Sequence, residues 1–229
     1  MSPPRSIPAC RASRARRVCY SRSVETQKKI GVIDYGSGNL RSVTKSLEAA
    51  GSSPDLVTTV AQLEACDAIV VPGQGAFGDC AKNLSASGMW DAIIEWIKAG
   101  RPYLGICLGY QLLFETSEES PGTKGLGIFP GKVVRFTPDA GKIPHMGWNQ
   151  LKDTTGPLFT GMDADPFFYF VHSYYPIPDD ASLVSAYCEY GGRFAASISS
   201  GAIHATQFHP EKSQASGQAL LKNFLKSLN

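Results

Sequence analysis

The stretch "RPYLGICLGYQLLF", residues 101–114, decides the fold. Its apolar run at 103–106 predicts a buried strand, and 110–114 predicts the start of a helix. Cys107 stands between them, with a glycine two residues before it and another two residues after it. This G-x-C-x-G pattern has the layout of a nucleophile elbow, a tight strand-to-helix turn that needs small neighbours. The positive end of the following helix would favour the thiolate. A buried cysteine beside ordinary turn glycines is the alternative.

Strands and helices alternate on both sides of this stretch. Gly-terminated amphipathic segments predict helices at 39–51 and 88–100, and apolar runs predict strands at 30–36 and from residue 67 into a glycine loop ending at 79. Alternation of this kind predicts an α/β fold with an open, mainly parallel sheet and helices on both faces. The second half predicts short antiparallel strands at 132–136, 167–171, 182–187, 193–198 and 202–207, then a last helix at 213–228. Nothing divides 30–229, so one domain is expected.

The first 29 residues differ from the rest of the chain. They hold eight Lys/Arg and one acid, which leaves 14 basic and 19 acidic residues in the body from totals of 22 and 20. We expect residues 1–29 to be a disordered extension, either an organelle transit peptide or an over-extended gene start. The location expected is the cytoplasm, or a plastid if the extension is a transit peptide. The acidic body shows no nucleic-acid footprint, and no apolar stretch approaches a membrane span.

The six cysteines and four histidines show no metal-ligand spacing. There is no CxxC pair and no HExxH. We therefore expect free thiols, a reducing compartment and no metal or other cofactor.

A base for the elbow cysteine is offered by "ATQFHPEKS", residues 205–213. Residues two apart in an extended segment point the same way, so Glu211 would hold the His209 imidazole while His209 takes the thiol proton. His209 follows a predicted strand end, where open α/β sheets build their sites. A surface turn is the alternative for this H-P-E.

An oxyanion hole is offered by the loop "VPGQGAFGD", residues 71–79. Gly73 and Gln74 would turn a backbone N–H toward the developing charge, and the N–H of Leu108 would be the second donor. Taken alone, the loop fits a simple strand-to-helix turn equally well. Gln111, one turn after the cysteine, would bond the amino-acid end of a substrate or be a solvated helix residue.

Together these pieces resemble the class I glutamine amidotransferases over residues 30–228. Within that family the blocks are similar to the glutaminase subunits of imidazole glycerol phosphate synthase, from histidine biosynthesis. The blocks are "GVIDYGSGNLRSV", "VVPGQGAF", "GICLGYQLLFETSEE", "GLGIFPGKVVRF", "PHMGWNQL", "FYFVHSYY" and "ATQFHPEKS".

The resemblance implies a triad of Cys107, His209 and Glu211 that releases ammonia from glutamine. It places around the substrate Gly73, Gly75, Gln111, Glu119, His172, Ser173 and Tyr174. It implies a heterodimer with a (β/α)₈-barrel cyclase subunit that receives the ammonia. Near that partner it places Asn39, Lys45, Met146, Trp148, Tyr169 and Lys212, although Met146 and Trp148 fit plain core positions equally well.

Two other classes of function remain open. A free-standing thiol hydrolase, an esterase or peptidase, would use a similar elbow and act without a partner. A non-catalytic binding domain is disfavoured because all three triad positions are filled.

Overall fold

The computed structural model describes residues 28–228, so the expected extension lies outside the described residues except for its last two positions. The carbonyl of Lys29 already accepts hydrogen bonds from the N–H groups of Asp67 and Ala68. Lys29, which the sequence placed in the extension, therefore belongs to the folded body.

The described residues form twelve strands and six α-helices. The strands are β1 (Ile30–Ile33), β2 (Asp55–Val57), β3 (Ala68–Gly73), β4 (Tyr103–Cys107), β5 (Thr116–Ser117), β6 (Gly131–Arg135), β7 (His145–Lys152), β8 (Phe167–His172), β9 (Tyr174–Pro178), β10 (Val184–Glu189), β11 (Arg193–Ser200) and β12 (Ile203–Thr206). The helices are α1 (Leu40–Ala50), α2 (Val60–Glu64), α3 (Phe77–Ala86), α4 (Met89–Lys98), α5 (Leu108–Gln111) and α6 (Gln214–Lys226).

Nine of these strands form one sheet in the order β2-β1-β3-β4-β12-β11-β10-β7-β8. The first five run parallel, and each pairing from β12 onward to β8 is antiparallel. A second sheet, β5-β6-β9, lies beside it. The predicted α/β class is confirmed. The sheet was expected to be mainly parallel, whereas four of its eight strand pairings are parallel and four are antiparallel. The parallel half brings the carboxyl ends of β3, β4 and β12 to one edge.

Both faces of the sheet are covered, because side chains of each parallel strand alternate between two apolar cores. Val70 and Leu104 pack with α1 and α6, whereas Ile69 and Tyr103 pack with α2, α3 and α4. β3 is buried at all six positions, as a strand covered on both faces must be.

The first helix shows why the glycine-terminated segments were predictable. The Asn39 side chain accepts from the N–H of Ser42 and caps the start of α1. Gly51 ends the helix in the left-handed region, at φ 107°.

The helix expected over residues 110–114 is wrong. α5 is a single turn of four residues that starts directly after Cys107. The carbonyls of Leu112 and Phe114, which a longer helix would use itself, accept instead from the N–H groups of Leu126 and Gly127. Hydrogen bonds to a distant segment thus replace the helical ones.

Candidate active site

Cys107 occupies a strained elbow at the carboxyl end of β4. Its φ is 56°, in the left-handed region that side chains other than glycine seldom adopt. A Cβ on Gly109 would lie 1.8 Å from the Val71 carbonyl oxygen, and one on Gly105 would lie 2.6 Å from the Gly109 oxygen. Gly109 is therefore required for the close approach of the turn to β3, and Gly105 for the turn to close on its own strand. A four-residue helix supplies little dipole, so the expected stabilisation of the thiolate by a long helix is not available.

His209 and Glu211 form a buried pair just after β12. His209 Nδ1 lies 2.8 Å from Glu211 Oε1, and each side chain is only 2% exposed. The 3-10 turn Pro210–Lys212 brings the carboxylate back to the imidazole. The surface-turn alternative for the H-P-E is thus excluded.

The backbone of His209 is held by the neighbouring strand. Its N–H donates to the carbonyl of Tyr169, and Ser213 Oγ donates to its carbonyl at 2.6 Å. Ser213 Oγ also accepts from the Tyr169 N–H. Ser213 lies in the quoted stretch 205–213, but its hydroxyl gave no signal in the sequence because its partners are backbone groups, one of them in the distant strand β8.

The electrostatics of the pair favour an imidazolium. Burial alone would lower the pKa of His209, but the charges of Cys107 and Glu211 outweigh it and raise that pKa to about 10. The second imidazole nitrogen, Nε2, is buried and has no hydrogen-bond partner within residues 28–228. It is therefore the ring atom left for proton exchange.

These groups meet at a cavity of about 400 Å³. Of the residues expected at the site, it is lined by Gln74, Gly75, Cys107, Leu108, Gln111, Glu119, His172, Ser173, Tyr174 and His209. Lys212, which was expected near the partner, also lines it. Pro144 and Val171 complete the lining. Gly73 lies just behind it, paired with Cys107 across β3 and β4. A volume of this size is typical of a small-molecule site.

The glycine loop expected to form the oxyanion hole is tied to the turn before α1. Ser37 Oγ donates to the Gln74 carbonyl at 2.7 Å and accepts from the Gln74 N–H at 3.4 Å. The Gln74 N–H is thus bound to Ser37 in this conformation, and a flanking Gly75 at φ 99° gives the loop its freedom to turn. Ser37 was not predicted from the sequence.

Two of the expected substrate residues are structurally engaged. Gln111 is 2% exposed, which excludes a solvated helix position, and its Nε2 donates to the Tyr174 carbonyl and to Gln207 Oε1. Glu119 Oε2 accepts from the N–H of Phe77 at 2.8 Å and so caps the start of α3, just after the loop that contains Gly73 and Gly75.

Most residues expected near a partner lie on one exposed surface. Met146 and Trp148 are 60% and 46% exposed, so their alternative as core residues is wrong. The Trp148 ring packs edge-on against Tyr169, and Lys212 Nζ lies 6.0 Å from the centre of the Tyr169 ring. Phe167, which the sequence did not single out, is 51% exposed on the same hairpin of β7 and β8.

Asn39 and Lys45 lie on or beside α1. Asn39 caps that helix, and Lys45 forms an exposed ion pair with Glu48. Neither role excludes contact with a partner.

The remaining sequence expectations concern thiols, metals and membranes. Within the described residues the cysteines are free, namely Cys66, Cys80, Cys107 and Cys188. No group of three or more His, Cys, Asp or Glu side chains in that part of the chain could hold a metal ion. No helix between residues 28 and 228 has the length and apolarity needed to cross a membrane.

Comparison with known proteins defines the class. The family model described as glutamine amidotransferase class-I matches residues 31–228, and the chain belongs to this family. Among solved structures, a glutamine amidotransferase superposes with a TM-score of 0.68 at 22% identity, covering 87% of this chain and 98% of that one. PurLQS from Thermotoga maritima gives a TM-score of 0.70 at 20% identity, covering 89% and 100%. At such identities these two likenesses show the fold.

Curated relatives narrow the assignment to the branch named imidazole glycerol phosphate synthase subunit HisH. The HisH subunit of Syntrophotalea carbinolica is 49% identical over 202 residues, covering 85% of this chain and 98% of the relative. That of Methanothermobacter thermautotrophicus is 48% identical, covering 86% and 98%.

Proposed function

We propose that this chain is the glutaminase subunit of an imidazole glycerol phosphate synthase, with Cys107, His209 and Glu211 as its catalytic triad. The observation that carries the proposal is the meeting of the strained elbow thiol and the buried His209–Glu211 pair at one cavity. Identity of 49% to HisH subunits along nearly their whole length supports the choice of this branch.

The first half-reaction forms a thioester. The Cys107 sulfur attacks the side-chain amide carbon of glutamine, and the C=O electron pair moves onto oxygen. As the tetrahedral intermediate collapses, the C–N bond breaks, and the imidazolium of His209 gives its Nε2 proton to the leaving ammonia. Glu211 holds the imidazole through Nδ1, which stabilises the charged ring.

The second half-reaction regenerates the thiolate. His209, now neutral, takes a proton from water, whose oxygen attacks the thioester carbon. As this intermediate collapses, the C–S bond breaks, which releases glutamate and leaves the Cys107 thiolate beside the His209 imidazolium. Both tetrahedral intermediates need N–H donors at their oxygen, for which we assign Leu108 and, once the loop turns, Gln74. Loss of one such donor typically costs about 10²–10³ in rate.

The partner we propose is a (β/α)₈-barrel cyclase subunit, bound over the cavity mouth as a heterodimer. Exposed large apolar side chains beside a site mark a protein-binding surface, and Met146, Trp148 and Phe167 provide such a group. Lys212 both lines the cavity and faces Tyr169, so it joins the site to this surface.

Delivery of ammonia to the cyclase defines the overall reaction. There it would react with a phosphoribulosyl formimino carboxamide ribotide to give imidazole glycerol phosphate and aminoimidazole carboxamide ribotide. We place this complex in the cytoplasm, or in a plastid if residues 1–29 act as a transit peptide. Microscopy of a fluorescent fusion to residues 1–29, beside one lacking them, distinguishes the two locations.

The deciding experiment is glutamate release from glutamine by the full-length chain, alone and with a barrel cyclase and its ribotide. We expect little activity alone and a large increase in the complex. Equal activity with and without the partner, at saturating glutamine, would instead favour a free-standing thiol hydrolase.

A further inference from the structure

The nucleophile has a neighbour that the proposed mechanism does not use. Gln207, the residue directly after β12, is fully buried, and its Nε2 lies 3.7 Å from Cys107 Sγ, within range of a hydrogen bond to sulfur. Gln207 does not belong to the lining of the cavity. Its amide therefore contacts the sulfur from inside the protein, away from the substrate.

The direction of the Gln207 amide is imposed by fixed acceptors. Gln111 Nε2 lies 3.0 Å from the Tyr174 carbonyl oxygen, which accepts only, so this end of the Gln111 amide must be the NH₂ group. The same NH₂ lies 3.1 Å from Gln207, so the atom facing it must be Oε1. What remains to face Cys107 is the Gln207 NH₂, a donor.

Two buried histidines continue the chain from the same Tyr174 carbonyl, because His172 bonds it and His145 bonds His172. His172 Nδ1 lies 2.9 Å from it and must carry a proton. In a neutral ring His172 Nε2 is then an acceptor, and the donor to it, at 3.1 Å, is His145 Nδ1–H. Burial lowers the pKa of both rings, to about 4 for His145 and about 3 for His172, so both are neutral near pH 7.

The outer end of the chain is fixed in the same way. His145 Nε2 accepts from Asn149 Nδ2 at 3.2 Å, and that amide also donates to the Glu189 carbonyl at 3.0 Å. Asn149 Oδ1 accepts from the Gln150 N–H, which excludes the flipped amide. One arrangement of protons therefore satisfies every bond from β7 to the sulfur.

We infer that Gln207 is a positioning residue for the nucleophile, because its NH₂ group donates to the Cys107 sulfur. A hydrogen-bond chain holds that donor in place. The chain starts at Asn149 and passes through His145, His172, the Tyr174 carbonyl and Gln111. The inference rests on the proposed role of Cys107. A donor held on the side away from substrate stabilises the thiolate and fixes its direction of attack. It does not bind glutamine.

The test measures the rate at which iodoacetamide alkylates Cys107 in the full-length chain at pH 7, located by peptide mass spectrometry. Gln207→Met keeps the size of the side chain and removes the donor. We expect it to slow alkylation about tenfold, since hydrogen bonds to charged groups are worth at least that factor. Glutaminase kcat should fall to a similar extent while KM stays within about twofold, because Gln207 lies outside the cavity.

The chain itself is tested at His172. His172→Phe removes the donor to the Tyr174 carbonyl and should slow alkylation, whereas His172→Asn, whose Nδ2 replaces Nδ1, should restore most of the rate. In a Gln207→Met background the His172→Phe change should have little further effect, because both act through one contact. Gln218→Met, which removes an amide that donates to the Ser46 carbonyl on α1 and to no member of this hydrogen-bond chain, is the matched control.

The outcomes separate the two proposals. Absence of selective alkylation at Cys107 in the wild-type chain would overturn the proposed function. Rapid wild-type alkylation that Gln207→Met leaves unchanged would overturn the role of Gln207 alone. Full additivity of the Gln207 and His172 changes would show that the histidines act by another route and would overturn the chain.

Discussion

Replacing Ser37 by alanine is predicted to raise the glutaminase activity of the subunit without its partner. The hydroxyl makes two hydrogen bonds to one residue of the oxyanion loop, to the Gln74 carbonyl at 2.7 Å and from its N–H at 3.4 Å. While that N–H is bound to Ser37, it is not directed at the position where a tetrahedral intermediate would carry its charge. Ser37 thus stabilises the loop in an orientation with one donor missing.

The size of the effect follows from these two bonds. A net contribution of about 0.5–1.5 kcal/mol for each, with the longer bond at the low end, gives about 1–2 kcal/mol in favour of the observed orientation. Its loss should shift the loop equilibrium by about 5- to 30-fold and raise the basal rate by up to that factor. In the complex, where we expect the loop to be turned already, the same change should matter much less.

The assay is glutamate release at saturating glutamine by the subunit alone and by the complex. Ser37→Thr retains the hydroxyl and should behave as the wild type. Ser120→Ala removes a hydroxyl that accepts from the Gly78 N–H on neighbouring α3 without touching Gln74, so it controls for general loosening. A Ser37→Ala chain with an unchanged melting temperature and a basal rate no higher than the wild type would refute the reasoning.

Three further predictions test other parts of the molecule. Cys107→Ala should lower glutamine-dependent product formation by about 10⁶-fold and leave ammonium-dependent cyclisation by the complex intact, and Glu211→Gln should have a milder effect. Failure of the Cys107→Ala complex with both nitrogen donors would show that Cys107 supports the fold or the interface. Trp148→Ala should weaken binding of the cyclase by about 2 kcal/mol, as for other aromatic hot spots, which titration calorimetry would show as a roughly 30-fold increase in Kd. Leu56→Ala, which changes an exposed residue on the opposite edge strand β2, should alter the Kd little. Burial lowers the pKa of His204 to about 4, so below pH 6.5 the unfolded chain binds more protons than the folded chain, and the free energy of unfolding decreases as the pH falls. Urea unfolding at about pH 6.5 and 5.5 should show that this decrease is about 1 kcal/mol smaller in His204→Asn than in the wild type. A decrease of the same size in both chains would contradict a neutral His204 ring.

The sequence predicted that the groups of the proposed triad come together, because the signals for them are local. An elbow needs glycines at fixed offsets from the nucleophile, and Gly105 and Gly109 show why, since no Cβ fits at either. His209 and Glu211 are two residues apart, so their contact depends on one short turn. Gly51 marked the end of α1 in the same local way.

The strands that build the rest of the site gave weaker signals. β7 contains Gly147 at φ 135° and does not alternate between buried and exposed positions, so it was missed although it carries His145, Met146 and Trp148. β2 has three residues, two of them exposed. The length of α5 was wrong because residues 125–127, far along the chain, compete for its carbonyls.

Gln207 was missed inside a quoted motif, and the reason is physical. A buried glutamine in an apolar strand is informative only when its partners are known, and those partners lie 96 and 100 residues away. The neutral state of His145 and His172 then follows from two separate constraints that agree. Burial disfavours a charge on either ring, and a second proton on His172 would set two N–H groups against each other at the 3.1 Å contact with His145. Acidification that charged His172 would therefore break its hydrogen bond with His145 at the centre of the chain. The fold thus fixes the direction of the nucleophile by a set of uncharged groups, which leaves His209 as the buried ring that is positively charged at neutral pH.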